Sequence, residues 1–275
     1  MFVAELGNDS VGVLDMRSQA VVHRMTGLSK PQGVGYVPWT DTLAVANAGD
    51  GSVRLFQGEA LKPAGRIDLG DDADNVRVDA KRRLLFVGYG RGGLAVIDPS
   101  RRAKIADLPL NAHPESFQID HLGRRIYVNL PDSGEIAVVD GTTGKTKAEW
   151  RNRDGSANFP MALDEAAQLL LVAFRSPPRL MAFTQTGSVV DNLAVCGDAD
   201  DLNVDGRRNR VYVSCGDGSI TVLQRRGSSY AIVATVPTVP GARTSLFVPE
   251  LDRLFVAVRA SGSERPAIWA FRPTP

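Results

Sequence analysis

Carboxylate side chains recur at one position of a pattern that repeats along this 275-residue sequence. Asp74, Glu115 and Asp200 each stand five residues before an aspartate that ends an alternating apolar–polar segment. Carboxylate oxygens are the ligands that Ca²⁺ and Mg²⁺ prefer, and they also suit a cationic organic ligand. His113, two residues before Glu115, could add a metal ligand or accept a proton. We therefore treat Asp74, Glu115 and Asp200 as a candidate Ca²⁺ or Mg²⁺ site, and we predict no other cofactor.

The same loops hold further polar residues. The predicted ligand-binding set is Asp74, Asn75, His113, Glu115, Asn158, Asp200, Asp201 and Arg243. Loops that converge on one cavity are common binding sites. A second interpretation stays open, in which Asp and Asn cap turns and remain solvated while Arg243 balances their charge. The set therefore predicts a polar, acidic mouth without deciding whether a ligand occupies it.

The two cysteines lie near the same predicted loops. Cys196 precedes one strand and Cys215 ends the next, so both fall at the same end of one predicted hairpin. A disulfide is feasible if their Cα atoms lie within about 7 Å, and it would favour an oxidising compartment. Free buried thiols and a redox pair at the rim remain as alternatives. Two cysteines without further ligands make a structural zinc site improbable.

A repeat explains how these residues are positioned. An apolar residue, usually an aromatic residue, and then valine recur seven times along the chain. The valines are Val3, Val45, Val87, Val128, Val172, Val213 and Val256. Their spacings of 42, 42, 41, 44, 41 and 43 residues match the period of a four-stranded β-propeller blade. Sustained helical periodicity is absent from the sequence.

One repeat illustrates the predicted strands. Alternation and turn residues predict strands at Asn75–Asp79, Leu84–Tyr89, Leu94–Asp98 and Lys104–Leu110. Aspartates end the first strand of four repeats, where they would accept hydrogen bonds from the backbone of the following turn. These residues are Asp79, Asp120, Asp164 and Asp205. Arginine pairs in the same turns, such as Arg82-Arg83, are predicted to be solvated hairpin tips.

The strand count predicts the architecture. The chain carries three strands, then five sets of four, then three more, which is two short of seven complete blades. We predict a single all-β domain over residues 1–275, a seven-bladed propeller with one blade incomplete. About 20 residues that precede Met1 in the native protein would supply the two further strands, because open strand edges are unfavourable.

Several strings resemble the YVTN repeats of the YncE-like bacterial propellers. They are His113–Phe117, Asn158–Asp164, Gly197–Asp201 and Val211–Ser214. The resemblance covers the whole chain and implies a seven-bladed binding propeller, with no known set of catalytic residues. It also implies a periplasmic or secreted protein, although the first ten residues lack the basic start and apolar core of an export signal.

Composition narrows the function classes. The formal net charge of +1 argues against a nucleic-acid-binding protein, and no apolar run is long enough to span a membrane. We predict a monomeric binding or interaction scaffold, whose partner is an unknown small molecule or protein. The alternative is a metal-dependent lactonase- or lyase-like enzyme that uses the carboxylates at the mouth. A quinone-dependent enzyme is disfavoured, because Trp39, Trp150 and Trp269 are scattered and form no repeated docking motif.

Overall fold

The fold is a seven-bladed β-propeller. The computed structural model describes residues 1–262 and 265–274, which contain 26 strands in seven antiparallel sheets and one short 3-10 helix. Five sheets have four strands and the first and last have three, so the predicted shortfall of two strands is divided between two blades. None of the described helices is long and apolar enough to cross a membrane.

The strand bounds follow the chain in order. The first sheet contains β1 (Phe2–Glu5), β2 (Ser10–Asp15) and β3 (Ala20–Met25), with the 3-10 helix Leu6–Asn8 after β1. The second contains β4 (Pro31–Val37), β5 (Thr42–Asn47), β6 (Ser52–Gln57) and β7 (Lys62–Asp68). The third contains β8 (Val76–Asp79), β9 (Leu84–Tyr89), β10 (Gly93–Asp98) and β11 (Ala103–Pro109). The fourth contains β12 (Phe117–Ile119), β13 (Arg125–Leu130), β14 (Glu135–Asp140) and β15 (Thr146–Arg151).

The remaining sheets repeat this order. The fifth contains β16 (Ser156–Asp164), β17 (Leu169–Ser176), β18 (Pro178–Thr184) and β19 (Val189–Ala194). The sixth contains β20 (Ala199–Asp205), β21 (Arg210–Cys215), β22 (Ser219–Arg226) and β23 (Ser229–Pro237). The seventh contains β24 (Ser245–Val248), β25 (Arg253–Val258) and β26 (Ala267–Phe271). The chain forms two compact units: unit 1 comprises residues 1–133 and 137–149, and unit 2 comprises 134–136 and 150–275.

The second and third strands of the blades form the core. β9 and β10 are almost continuously apolar, and the side chains of Leu85, Val87, Leu94 and Ile97 are fully buried. Strands buried on both faces have this composition. In unit 1, β4 lies against β8 through glycines, since a Cβ at Gly33 would stand only 2.0 Å from the Asp74 carbonyl oxygen. The two backbones therefore approach more closely at Gly33 than a residue with a side chain would permit.

The strand-ending aspartates form turns as predicted. Asp79 Oδ1 accepts a hydrogen bond from the Arg82 backbone N–H at 2.9 Å, and Asp120 Oδ1 accepts one from Arg124 at 2.7 Å. Asp164 and Asp205 make the equivalent bonds. Each carboxylate satisfies backbone donors that a tight turn leaves unpaired. The prediction that these four residues have a structural role is confirmed.

One prediction about the turns is wrong. Arg82 is not a solvated hairpin tip, because its Nε lies 2.5 Å from Asp79 Oδ2 and its Nη1 donates to the Gly141 carbonyl. The guanidinium also lies 5.0 Å from the centre of the Phe86 ring. A planar cation with several donors can join two hairpins in this way. The sequence shows only that a charged residue lies in a turn, and this does not predict the contact with a second hairpin. Its neighbour Arg83 is exposed, as predicted.

The last strands of the four-stranded sheets differ in charge. β7, β11, β15 and β19 each carry at least one charged side chain, whereas β23 carries none. β23 is also the longest of these five strands, with nine residues. Ile232 and Val233 in its middle are 50% and 47% exposed.

Candidate functional site

Three predicted site residues meet in unit 1. One ligand atom from each of Asp74, His113 and Glu115 lies within 4.8 Å of the others. Asp74 stands just before β8 and Glu115 just before β12, so both occupy the loop that leads into the first strand of a blade. Carboxylate oxygens and an imidazole nitrogen at this separation can converge on one cation.

Backbone hydrogen bonds hold the two loops in place. Asp74 N–H donates to the Gly88 carbonyl at 2.9 Å, and Gly88 N–H donates to the Asn75 carbonyl at 2.9 Å. Glu115 N–H donates in the same way to the Asn129 carbonyl at 3.0 Å. Each loop therefore continues the antiparallel pairing of its blade by one step, and the side chains project from a fixed backbone. Asn75 contributes this backbone contact beside Asp74.

His113 is oriented by a backbone carbonyl. Its Nδ1 lies 2.5 Å from the Gly90 carbonyl oxygen. A carbonyl can only accept, so Nδ1 carries the proton and Nε2 is the nitrogen that can accept a proton or bind a cation. Metal-binding histidines are commonly oriented in this way, by a hydrogen bond from the ring nitrogen that does not bind the metal. Nε2 lies 3.9 Å from Asp72 Oδ2, which leaves a carboxylate near the accepting side of the ring.

An acidic cavity adjoins His113. Its volume is about 470 Å³. It is lined by Asp71, Asp72, Gly90, Arg91, Ala112, His113 and Asp132. Three of these side chains are carboxylates and one is a guanidinium, so the lining favours positive charge in a ligand. The cavity and the Asp74–His113–Glu115 cluster together form what we call the unit 1 site.

The predicted carboxylate of unit 2 has different partners. Asp200 forms ion pairs with Arg175 and, at 3.3 Å, with Arg243. Asp198 pairs with the same two arginines, at 3.1 Å from Arg175 Nε and 2.6 Å from Arg243 Nη1. We call these four residues the unit 2 cluster. Asp200 therefore lies among cations, and the candidate metal trio of Asp74, Glu115 and Asp200 is not the group that the structure brings together.

Burial and charge compete at Asp200. Burial raises the pKa of its carboxyl group above the ordinary value, although Arg243 and Arg175 act to lower it. Burial acts to lower the pKa of Arg243, but Asp200 and Asp198 raise it overall. Arg175 also stacks over the Phe159 ring, with its guanidinium carbon 3.7 Å from the ring centre. These contacts satisfy the unit 2 cluster internally.

Two other predicted residues have structural contacts in unit 2. Asn158 is 1% exposed, and its Nδ2 donates to the Glu135 carbonyl at 3.0 Å. Asp201 Oδ2 accepts the Ser245 backbone N–H at 2.7 Å, which joins β20 to β24. Such contacts between neighbouring blades explain polar side chains at these positions without a ligand.

The cysteines form a disulfide. Cys196 Sγ and Cys215 Sγ are bonded, with their Cα atoms 5.9 Å apart. The bond joins the loop before β20 to the end of β21, and the same loops exchange hydrogen bonds between Gly216 N–H and the Asp198 carbonyl at 2.9 Å. The first of the three sequence-based alternatives is therefore the one observed. Since Asp198 lies two residues from Cys196, the disulfide also restrains the unit 2 cluster.

Three residues of these sites were not predicted from the sequence: Arg175, Arg91 and Asp132. Arg175 lies near the end of β17, on the same side of its blade as the loops that lead into first strands. The position of Arg175 in the repeat could have identified it. Arg175 stands three residues after the repeated valine of the fifth blade, and Gly90 stands at the equivalent position of the third blade. Arg91 and Asp132 lie in loops between second and third strands, which also reach this end of each blade.

Comparison with solved structures supports the fold. No family model matches the chain, and no curated protein matches it. The Kuenenia stuttgartiensis hydrazine synthase superposes with a TM-score of 0.83 at 14% identity, over 99% of this chain and 92% of that one. A chain of the mitotic checkpoint complex superposes with a TM-score of 0.85 at 15% identity, over 99% and 84% of the two chains. At these identities the likeness establishes the propeller fold alone.

Proposed function

We propose that this chain is a YVTN-type binding propeller whose unit 1 site takes a divalent cation, or a ligand that presents a cation. The observation that supports this most directly is the approach of Asp74, His113 and Glu115 within 4.8 Å. His113 presents Nε2 because Nδ1 is engaged by Gly90. The carboxylates favour Ca²⁺ or Mg²⁺, and the imidazole extends the choice to Mn²⁺ or Zn²⁺.

The adjoining cavity supports a binding role. Asp71, Asp72 and Asp132 place further negative charge beside the cluster, with Arg91 as the one cation of the lining. A partly desolvated acidic site concentrates cations from solution. The role proposed for the protein is therefore that of a scaffold that binds an unidentified small molecule or protein through a charged site.

The disulfide supports an exported location. Disulfides persist in oxidising compartments and are rare in reducing ones. The bond between Cys196 and Cys215 is therefore in keeping with a periplasmic or secreted protein, the location that the YVTN resemblance implies.

Calorimetric titration tests the proposal. Metal-stripped protein is titrated with Mg²⁺, Ca²⁺, Mn²⁺ and Zn²⁺. We expect saturable binding of at least one ion, and a loss of at least about tenfold in Glu115→Gln, because a direct ligand is removed. Asp132→Asn is the matched control, since it removes a charge from the cavity lining outside the cluster. No saturable binding, or equal losses in the two variants, would contradict a defined cation site.

A metal-dependent lactonase- or lyase-like activity is the second candidate. The oriented imidazole of His113 beside two carboxylates favours it, because a fixed acceptor nitrogen is what a general base requires. We expect lactone hydrolysis or elimination to depend on added divalent ion and to be lost in His113→Gln. Activity against γ- and δ-lactones and uronate-type substrates is the measurement. Cation binding without turnover would favour the scaffold over the enzyme.

A further inference from the structure

A second cavity of unit 1 lies at the opposite end of β8 from Asp74. The unit 1 site begins just before β8, whereas Arg82 in the turn after β8 lines a groove of about 710 Å³. The groove runs between β11 and the turn 141–146 that joins β14 to β15. Its volume falls within the range of about 300–1,000 Å³ that is usual for small-molecule sites.

The floor of this groove is apolar. It is made by Leu84, Phe86, Val96 and Leu108. Phe86 is 2% and Leu108 7% exposed, so both belong to the core and support the floor from beneath. The apolar surface that a ligand can contact is carried by half-buried Leu84 and by exposed Ala106 and Pro109. An apolar floor of fixed side chains accepts a hydrocarbon chain without reorganisation.

The walls of the groove are fixed by close contacts. Arg82 Nη1 donates to the Gly141 carbonyl, which anchors the turn 141–146 to the third blade. A Cβ on Gly144 would stand only 2.6 Å from Leu108 Cδ2, so the turn packs closely against Leu108 at one side of the groove. The groove is therefore formed before any ligand binds.

The charges at the rim are unequally satisfied. Asp107 is paired with Lys104 at 2.8 Å and accepts a hydrogen bond from the Tyr89 hydroxyl. Arg82 is paired with Asp79. Lys145 is exposed and forms no ion pair with any residue of 1–262 or 265–274. The rim thus keeps one uncompensated ammonium group, next to the exposed hydroxyls of Thr142 and Thr143.

We infer that this groove binds a free medium-chain carboxylate. The hydrocarbon chain would cover the floor, and the carboxylate would accept hydrogen bonds from Lys145 Nζ and the threonine hydroxyls. The argument for this occupant is complementarity: the floor selects an apolar body and the rim selects a negative head. The inference is independent of the unit 1 site.

Decanoate is the probe, and decylammonium is its counterpart of opposite charge. We expect saturable decanoate binding below millimolar concentration, with shifts in the NMR signals of the Leu108 and Thr143 methyl groups. Decylammonium should bind at least about tenfold more weakly. Lys145→Gln should weaken decanoate binding about fivefold, and Lys62→Gln, an exposed lysine of β7 outside the groove, should leave it within about twofold.

A variant that fills the groove provides a second measurement. Ala106 is exposed and lines the groove from β11, so Ala106→Phe adds bulk without entering the core. We expect it to abolish decanoate binding while the thermal transition stays unchanged. The inference would be overturned by equal binding of the two probes, by equal effects of Lys145→Gln and Lys62→Gln, or by undiminished binding to Ala106→Phe.

Discussion

The unit 1 site and the unit 2 cluster both contain a carboxylate at the same position of the repeat, but these carboxylates have different partners. In unit 1, Asp74 and Glu115 meet the imidazole of His113. In unit 2, Asp200 and its neighbour Asp198 meet two guanidinium groups. The first arrangement places two carboxylates beside an imidazole, and the second places two carboxylates beside two guanidinium groups.

One position at the end of the second strand contributes to this difference. Three residues after the repeated valine, the fifth blade has Arg175 and the third blade has Gly90. Arg175 reaches Asp198 and Asp200, whereas Gly90 offers only a carbonyl, which orients His113. The same position of the repeat therefore supplies an ion-pair partner in one unit and a carbonyl that orients a histidine in the other, and Arg243 completes the unit 2 cluster.

The largest expected effect comes from removing the disulfide of unit 2. We expect the double variant Cys196→Ser, Cys215→Ser to lose about 3 kcal/mol of unfolding free energy, because a loop of about 20 residues is no longer closed in the unfolded chain. Urea unfolding of the variant and of the reduced wild-type protein measures the loss. Divalent-cation binding at the unit 1 site should be unaffected. Equal stability of reduced and oxidised protein would contradict the restraint ascribed to this bond.

The next test exchanges one arginine in each unit for methionine. Arg175→Met leaves the partly buried Asp200 with one partner fewer, and we expect a loss of about 2 kcal/mol. Arg91→Met, at the exposed lining of the unit 1 cavity, should change stability by less than about 0.5 kcal/mol. It should also strengthen divalent-cation binding about two- to threefold by removing like charge. Equal destabilisation by the two variants would remove the contrast between the units.

A pair of glycine variants compares backbone with side-chain crowding. A Cβ at Gly33 meets the Asp74 carbonyl at 2.0 Å, and a Cβ at Gly216 meets the Asp198 carboxylate at 2.0 Å. The carbonyl cannot move without its strand, so we expect Gly33→Ala to cost roughly 1–2 kcal/mol and to weaken cation binding at Asp74. Gly216→Ala should cost less, because a carboxylate can rotate away. Chemical denaturation of both variants measures the difference, and the reverse order would contradict this packing.

The smallest expected effect is a dependence on pH. Because burial raises the pKa of Asp200 in the folded protein above its unfolded value of about 3.9, the folded state holds this proton more tightly. Its contribution to stability therefore falls as pH rises from the unfolded pKa through the folded one, and is level at higher pH. The stability difference between wild type and Asp200→Asn, followed from pH 4 to 7, should decline accordingly. A difference that rises with pH would contradict the assignment.

The sequence predicted the architecture well because its signals were local and repeated. The strands around Asn75 lie within two residues of their predicted bounds, and Asp79 caps the turn that its spacing indicated. The grouping of site residues was harder to predict. Asp74 and Asp200 occupy equivalent positions of the repeat, but the residues that they contact come from other strands and blades. Arg175 carried no pattern of its own, and only tertiary packing brings its guanidinium to Asp200.

The uncharged course of β23 bears on how the protein behaves when molecules are crowded together. Lysine or aspartate on an outer strand discourages a foreign strand from adding to it, and β23 has neither over its nine residues. Its exposed pair, Ile232 and Val233, is the kind of segment along which partly folded copies associate. Preparations at high concentration should therefore aggregate in part through association along β23.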